Sequence, residues 1–323
     1  MIEIHINPSN IEDEYLRHLN LAYGNWGDRQ QFDWYFKRQT SYRNPDVILL
    51  TVDGRFAAGS GVSYRQVALP TGAEISVGVV TGAWTLSEFR NQGCFARVIQ
   101  ECVGVTCERG GALLLGFVRA DNASSRQMAR LGSAMFPTWY LRSRITASSK
   151  DVPPDFAPAG LNDQLLETIF ERMKVQGRGY ARMTYGTVKD FSDQFLGRPA
   201  GTEIVRDRQE NFGVIEKRAD ADVLQLMSHC EEAVSCAELM ANISAYSHAQ
   251  GRELVSFTTL PSVRAAAPAA GFEVRDGFLT VLVANEATLR QVGLGMGNDS
   301  RQLAEPRSGF FLGPWLVHGG DRL

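Results

Sequence analysis

The sequence is poor in cysteine and has no clustered metal ligands. Its five cysteines, Cys94, Cys102, Cys107, Cys230 and Cys236, form no Cys-x-x-Cys pair, and no histidine stands at zinc-finger spacing from them. That pattern argues against a structural zinc or a disulfide framework. The odd count, with no secretory apolar region at the start, reads as reduced thiols and sets the expectation of a cytoplasmic protein without a bound metal. No apolar run approaches the roughly 18 residues of a membrane span. Basic excess is lacking too: the net charge is −3, which gives no reason to expect nucleic acid or an anionic membrane as partner. What is present is ordinary globular composition, 44% hydrophobic and 21% charged over 323 residues. That length suits roughly two domains of about 150 residues each.

Read in order, residues 1–6 alternate as a first strand, and 11–24 and 29–40 show helical spacing. Residues 47–52 and 55–69 read as strands joined by the turn Asp53-Gly54. Residues 77–86 read as a mostly buried strand, and from Cys94 a helix carries Phe95, Val98, Ile99, Cys102 and Val105 on one face. A short buried strand, a short helix capped near Asn122 and closed by Gly132, and an aromatic strand to residue 145 complete the first half, in the order β-α-α-β-β-β-α-β-α-β. A polar, proline-rich linker at 148–159 separates residues 1–147 from 160–323.

In the second half, helices are expected at 161–175, 188–196, 231–251 and 263–271, and strands at 202–206, 211–217, 223–227, 253–260 and 272–284. The tail from 310 to 323 is aromatic, then polar around His318 and Asp321. The halves echo each other. Each has a long helix, a short apolar strand, a short helix ending in Leu131-Gly132 or Ala270-Gly271, and a final aromatic strand. There is no strong identity between them, and the second half has no counterpart of Arg90-Asn-Gln-Gly93 before its long helix.

That turn carries the chemistry. The strand breaks at Ser87-Glu88-Phe89-Arg90-Asn91-Gln92-Gly93 and a helix follows. A helix start leaves unpaired N–H groups with partial positive charge. Gly93 lets a phosphate approach the backbone, and Arg90 can neutralise it.

The segment resembles the acyl-CoA-binding motif of the GCN5-related N-acetyltransferases, the GNAT family, whose pattern is Gln/Arg-x-x-Gly-x-Gly/Ala. Arg90 and Gly93 match, while Phe95 stands where the family prefers Gly or Ala. Downstream, GFVRADNASSRQMARLG is similar to the family's strand–Asn–helix–Gly stretch, with Asn122 at the Asn position. Met128 occupies the place of the tyrosine that many members use to protonate the leaving thiolate.

The resemblance implies an α/β (α+β) protein with two GNAT-like domains, each a mixed, mostly antiparallel sheet flanked by helices. The first would bind acetyl-CoA or another acyl-CoA. The second, degenerate, would shape the acceptor site or hold a homodimer. It implies pantetheine along Ala83, Trp84, Thr85 and Leu86. The pyrophosphate would lie on Arg90, Asn91, Gln92, Gly93, Cys94, Phe95 and Ala96, with Asn122 and Ser125 as further contacts. Trp26, Asp33 and Trp34 would wall the acceptor site, and Asp28, His318 and Ser125 are the candidates for acid–base work. Cys94 reads as a small apolar filler, and Trp84 as a core or groove-lining residue. The expected reaction is N-acylation of a primary amine, a nucleotide-linked amino sugar leading. A non-catalytic acyl-CoA-binding module and an aminoacyl transferase of the peptidoglycan type are the alternatives.

Overall fold

The structure, a computed structural model, describes residues 1–40, 42–145, 155–228, 232–294, 301, 303 and 312–322. The first half runs β1 Ile2–Ile6, α1 Glu12–Tyr23, α2 Arg29–Phe36, β2 Asp46–Val52, β3 Arg55–Ala68, β4 Glu74–Thr85, α3 Cys94–Glu108, β5 Leu113–Arg119, α4 Ala123–Arg130 and β6 Ala134–Ser143. This is the order expected from the sequence. The second half runs β7 Ala157–Pro158, α5 Asp163–Val175, β8 Ala181–Thr184, α6 Val188–Phe195, β9 Thr202–Arg206, β10 Phe212–Lys217, β11 Asp222–Met227 and α7 Ala233–Ala249. It ends with β12 Leu254–Thr258, α8 Pro261–Ala266, β13 Phe272–Val283, α9 Glu286–Gln291 and β14 Trp315–Leu316. The short strands β7, β8 and β14 and helix α9 carry too few residues for a periodicity to show. The expected second helix stops at Phe36 rather than at residue 40. Most of the expected linker, 148–159, lies outside the described residues.

One mixed sheet joins both halves in the order β1-β2-β3-β4-β5-β13-β6-β12-β11-β10-β9-β7. The junction is an exchange. β13, from the second half, lies between β5 and β6 and pairs antiparallel with both, Val281 opposite Leu115 on one side and Ala134 on the other. β6, from the first half, in turn pairs with β12 through Leu254 and Ser143. Gly277 permits this insertion, since a Cβ there would stand 2.8 Å from the Val118 carbonyl oxygen and 2.5 Å from the Tyr140 ring. β8 docks beside the end of β3, Val67 opposite Met183.

The alternation of β4 and β5 sends side chains to two buried layers. Val77, Val79, Leu113 and Leu115 face a core shared with α5, α6 and β8, all from the second half. Val80 and Leu114 face the other core, made with α1, α2, α3 and α4. A third core lies under α7 and α8.

A buried polar cluster ties the exchanged strand down. The Ser143 hydroxyl lies 2.5 Å from the Ser244 hydroxyl and 2.6 Å from His248 Nε2 on α7. Burial pushes the His248 imidazole below its ordinary value of 6.5. The unfolded chain therefore takes up this proton first, so the cluster's contribution is complete above about pH 6.5 and lost as pH falls below it. The thermal midpoint of the wild type is expected to fall more steeply between pH 7 and pH 5 than that of His248→Gln. Equal slopes would show that His248 does not contribute.

Candidate active site

β4 and β5 pair in parallel only over residues 77–79 and 113–115. β4 then continues to Thr85 and β5 to Arg119 with no ladder between them among the described residues. The two strands thus open into a gap whose β4 edge has no strand partner. β4 bends at the same level. Between the pairs Gly61↔Thr81 and Gly59↔Trp84 it carries one extra residue, and Gly82 there has φ +58°. A bulge of this kind re-aims the following residues. Two glycines of β3 let helices close on it: a Cβ at Gly61 would lie 2.6 Å from Phe36, and one at Gly59 2.8 Å from the Tyr15 hydroxyl. The Ala83 carbonyl accepts a hydrogen bond from the Tyr23 hydroxyl. Trp84 is buried, edge-on to Tyr15 and stacked with His18. It is a core residue and leaves only its backbone to the gap.

The chain leaves the gap through a 3-10 turn, Ser87–Phe89, and an extended Arg90. Asn91 follows with φ +63° and Gly93 with φ +78°, and α3 starts at Cys94. The backbone N–H groups of residues 91–96 donate to no acceptor among the described residues. Six free amides therefore surround an exposed turn at the positive end of a helix. Nothing lies within 4 Å of a Cβ at Gly93, so the concavity is open. Arg90 and Arg97 are exposed at its rim and form no ion pair among the described residues. Such a nest can hold a diphosphate.

α3 is seated firmly. A Cβ at Gly78 would come 2.4 Å from Thr106 Oγ1, so glycine lets the helix lie directly on β4. At its far end Arg109 donates two hydrogen bonds, 3.0 and 2.9 Å, to the buried Asp46.

The second half repeats the gap. β11 and β12 pair in parallel only at Asp222–Leu254 and Val223–Val255. The chain's own tail sits against the opening: Leu316, Val317, His318 and Gly319 line one cavity with residues 224–228 and 256–258. Gly319 is packed so closely that a Cβ would lie 2.6 Å from the Leu224 carbonyl oxygen.

No family model matches the sequence, and no curated protein does either. Solved structures do match. A protein of Enterococcus faecalis V583 described as a probable N-acyltransferase aligns with TM-score 0.61 at 12% identity, over 90% of this chain and 74% of its own. A tandem GNAT protein from the clavulanic acid biosynthesis pathway aligns with TM-score 0.60 at 12% identity, over 88% of this chain and 99% of its own. A GCN5-related N-acetyltransferase of Sphaerobacter thermophilus gives 0.55 at 13%, over 88% and 96%. The fold is that of the tandem GNAT proteins.

Within this GNAT fold the expected site residues fall into three groups. Residues 83–86 edge the gap and 90–96 form the nest, on one continuous stretch. Cys94 is buried, and burial pushes its thiol up, away from the thiolate a nucleophile needs. Asn122 caps α4, accepting from the Ser124 N–H at 3.3 Å. The buried Ser125 hydroxyl donates to the carbonyls of Ala120 and Asn122. Met128 is 2% exposed in the α1–α4 core, so this position offers no proton donor to the gap.

The remaining candidates are scattered. Asp28 caps α2 by accepting from the Gln31 N–H at 2.8 Å. Asp33 pairs with Arg29 at 3.1 Å, and Trp26 packs on Tyr35 and Phe36. Trp34 lies beneath the guanidinium groups of Arg38 and Arg198, 4.1 and 4.9 Å from its ring centre. His318 belongs to the tail on the second gap, where its N–H meets Asp321. Asp28, Ser125 and His318 therefore stand on three separate elements. Among the described residues no group of His, Cys, Asp and Glu could hold a metal ion, and no helix is long and apolar enough to cross a membrane.

Sequence reading missed the Gly82 bulge and the Tyr23–Ala83 contact. Glycine inside an apolar strand was the available signal for the first. Nothing local marks the second, which joins residues 60 positions apart.

Proposed function

We propose that the chain transfers an acyl group from acyl-CoA to a primary amine. One observation carries this: a stretch of β4 without a strand partner on one edge runs directly into a nest of six amides, residues 91–96, that donate to no acceptor, both among the described residues. Pantetheine would lie along Ala83, Trp84 and Thr85; the expected contact at Leu86 is not open, since its N–H donates to the Ala57 carbonyl and its carbonyl accepts from the Phe89 N–H, and the Ala83 carbonyl already accepts from Tyr23. The pyrophosphate has the amides of 91–96 with Arg90. Asn122 and Ser125, at the start of α4 after β5, would border the other side. A backbone N–H on the free edge would polarise the thioester carbonyl and hold the oxyanion that forms as the amine attacks. Attack needs a neutral amine, and departure needs a proton for the thiolate. Met128 cannot give that proton, so water or another side chain would supply it. The Enterococcus protein, described as a probable N-acyltransferase, supports the same chemistry. Among acceptors, nucleotide-linked amino sugars lead.

Release of free thiol from acetyl-CoA over a panel of amines, nucleotide amino sugars included, tests the proposal. Turnover on one class is expected. The buried Met128 favours a second reading, an acyl-CoA-binding module without catalysis. Tight acetyl-CoA binding with no thiol release on any amine would replace the enzyme by that module.

A further inference from the structure

We propose that a cleft between α2, β3 and α6 binds an anionic oxygen-acid group, carboxylate or phosphate, carried by the amine acceptor. The inference rests on the N-acyltransferase reading for the word acceptor and on separate residues for the anion.

Three arginines converge where the halves meet. Arg38 follows α2, Arg65 lies in β3 and Arg198 follows α6. Gln194 Oε1 accepts from Arg38 Nη2 at 2.6 Å and from Arg65 Nη2 at 3.0 Å. Arg198 donates to the carbonyl oxygens of Gln194 and Gly320. Its one ion pair among the described residues is Glu216 at 3.6 Å. Arg38, half-buried at the cleft wall, forms no ion pair among the described residues and donates only to Gln194 and the Asp193 carbonyl. Two of its five N–H donors are used. Burial first, then the charges of Arg65 and Arg198, push the Arg38 guanidinium down to about 9, with Asp193 opposing. It stays charged at neutral pH; Asp321, buried near Arg65 and already accepting from the Tyr185 hydroxyl and the His318 N–H, offsets part of the positive charge.

Two carboxylates border the cleft, but each is engaged. Asp190 accepts from the Thr187 hydroxyl at 2.8 Å, and Asp193 is paired with Lys189. Tyr42 completes the wall, its hydroxyl donating to the Thr184 carbonyl and accepting from the Gly186 N–H.

Position ties the cleft to the reaction. Arg65 stands opposite Val77, where β4 still pairs with β5. Its side chain points to the second-half face of the sheet, as do those of Val77 and Val79. The gap opens beyond Val79, about 7 Å further along the strand at 3.3 Å per residue. The cleft and the gap thus stand about 7 Å apart along the strand, within the span of one small acceptor.

The test has a binding arm and a kinetic arm. In an Arg90→Glu background, which weakens the competing nest, inorganic phosphate and succinate are compared with chloride at matched ionic strength. One of the two is expected to raise the thermal midpoint saturably, and which one does separates phosphate from carboxylate. Arg38→Gln should weaken that effect about tenfold, the scale of one charge-assisted contact. Arg38→Lys, which keeps the charge, should recover most of it. In the kinetic arm Arg38→Gln, in the otherwise native chain, should raise KM about tenfold for an acidic amine and leave KM for its amide or ester unchanged. No effect of either anion beyond chloride, or an effect untouched in Arg38→Gln, overturns the proposal. Anion binding through Arg38 with no amine acylated leaves the anion site standing and removes the enzyme reading. Acylation that is indifferent to an acidic group, with no anion effect, does the reverse.

Discussion

Arg90→Glu is expected to weaken acyl-CoA binding about 30- to 100-fold at low salt. The substitution removes one favourable charge beside the diphosphate and adds a repulsive one, and each charge-assisted contact is worth about a factor of ten. Arg90 is exposed and enters no ion pair among the described residues, so its removal breaks nothing else in the fold. The folded chain should therefore keep its thermal midpoint, and the neutral Arg90→Gln should lose about tenfold. Because the site is open to solvent, the deficit should shrink as salt is raised from about 50 to 500 mM. Titration of acetyl-CoA into the purified variants checks this. Unchanged affinity in Arg90→Glu would place the diphosphate elsewhere.

The second large effect is on stability. Asp46 is 2% exposed and accepts from Arg109 twice, from Tyr64 at 2.5 Å and from Asn7 at 2.6 Å. Asp46→Ala leaves a guanidinium, a buried phenol and an amide without their acceptor. Half of Arg109 is solvated, so the loss should be about 3 kcal/mol, at the low end for a broken buried pair. The thermal midpoint should drop by several degrees. Burial pushes the Asp46 carboxyl up, yet Arg109, Tyr64 and Asn7 together hold it below its ordinary 3.8. The contribution is thus present above about pH 4 and lost as pH falls further. A midpoint unchanged in Asp46→Ala would show that α3 is held to the sheet by packing alone. Since Arg109 closes α3 at the end opposite the nest, acetyl-CoA affinity should change only a few-fold.

The ten elements of the first half were legible because each is announced locally. Asp53-Gly54 turns β2 into β3, Gly93 starts α3 with a positive φ, and Gly132 ends the short helix α4. The nest was legible for the same reason: its six amides belong to six consecutive residues. Pairing was not. β6 and β13 are both apolar, aromatic-bearing strands, and nothing in their alternation says that each closes the other half's sheet. Only Gly277, needed where Tyr140 and Val118 crowd the backbone, hints at it. The arginine cluster was equally invisible, since Arg38, Arg65 and Arg198 meet through Gln194 and the tail rather than through any motif. The sequence did show that the second half lacks the Arg90–Gly93 turn. It could not show that residues 316–319 line the matching gap.

The proposed chemistry needs a single acyl-CoA site, at the β4–β5 gap and the nest of residues 91–96. The most direct test is the stoichiometry of acetyl-CoA binding by titration calorimetry. One site per chain is predicted, abolished or strongly weakened in Arg90→Glu. Two sites per chain, or none, would contradict it.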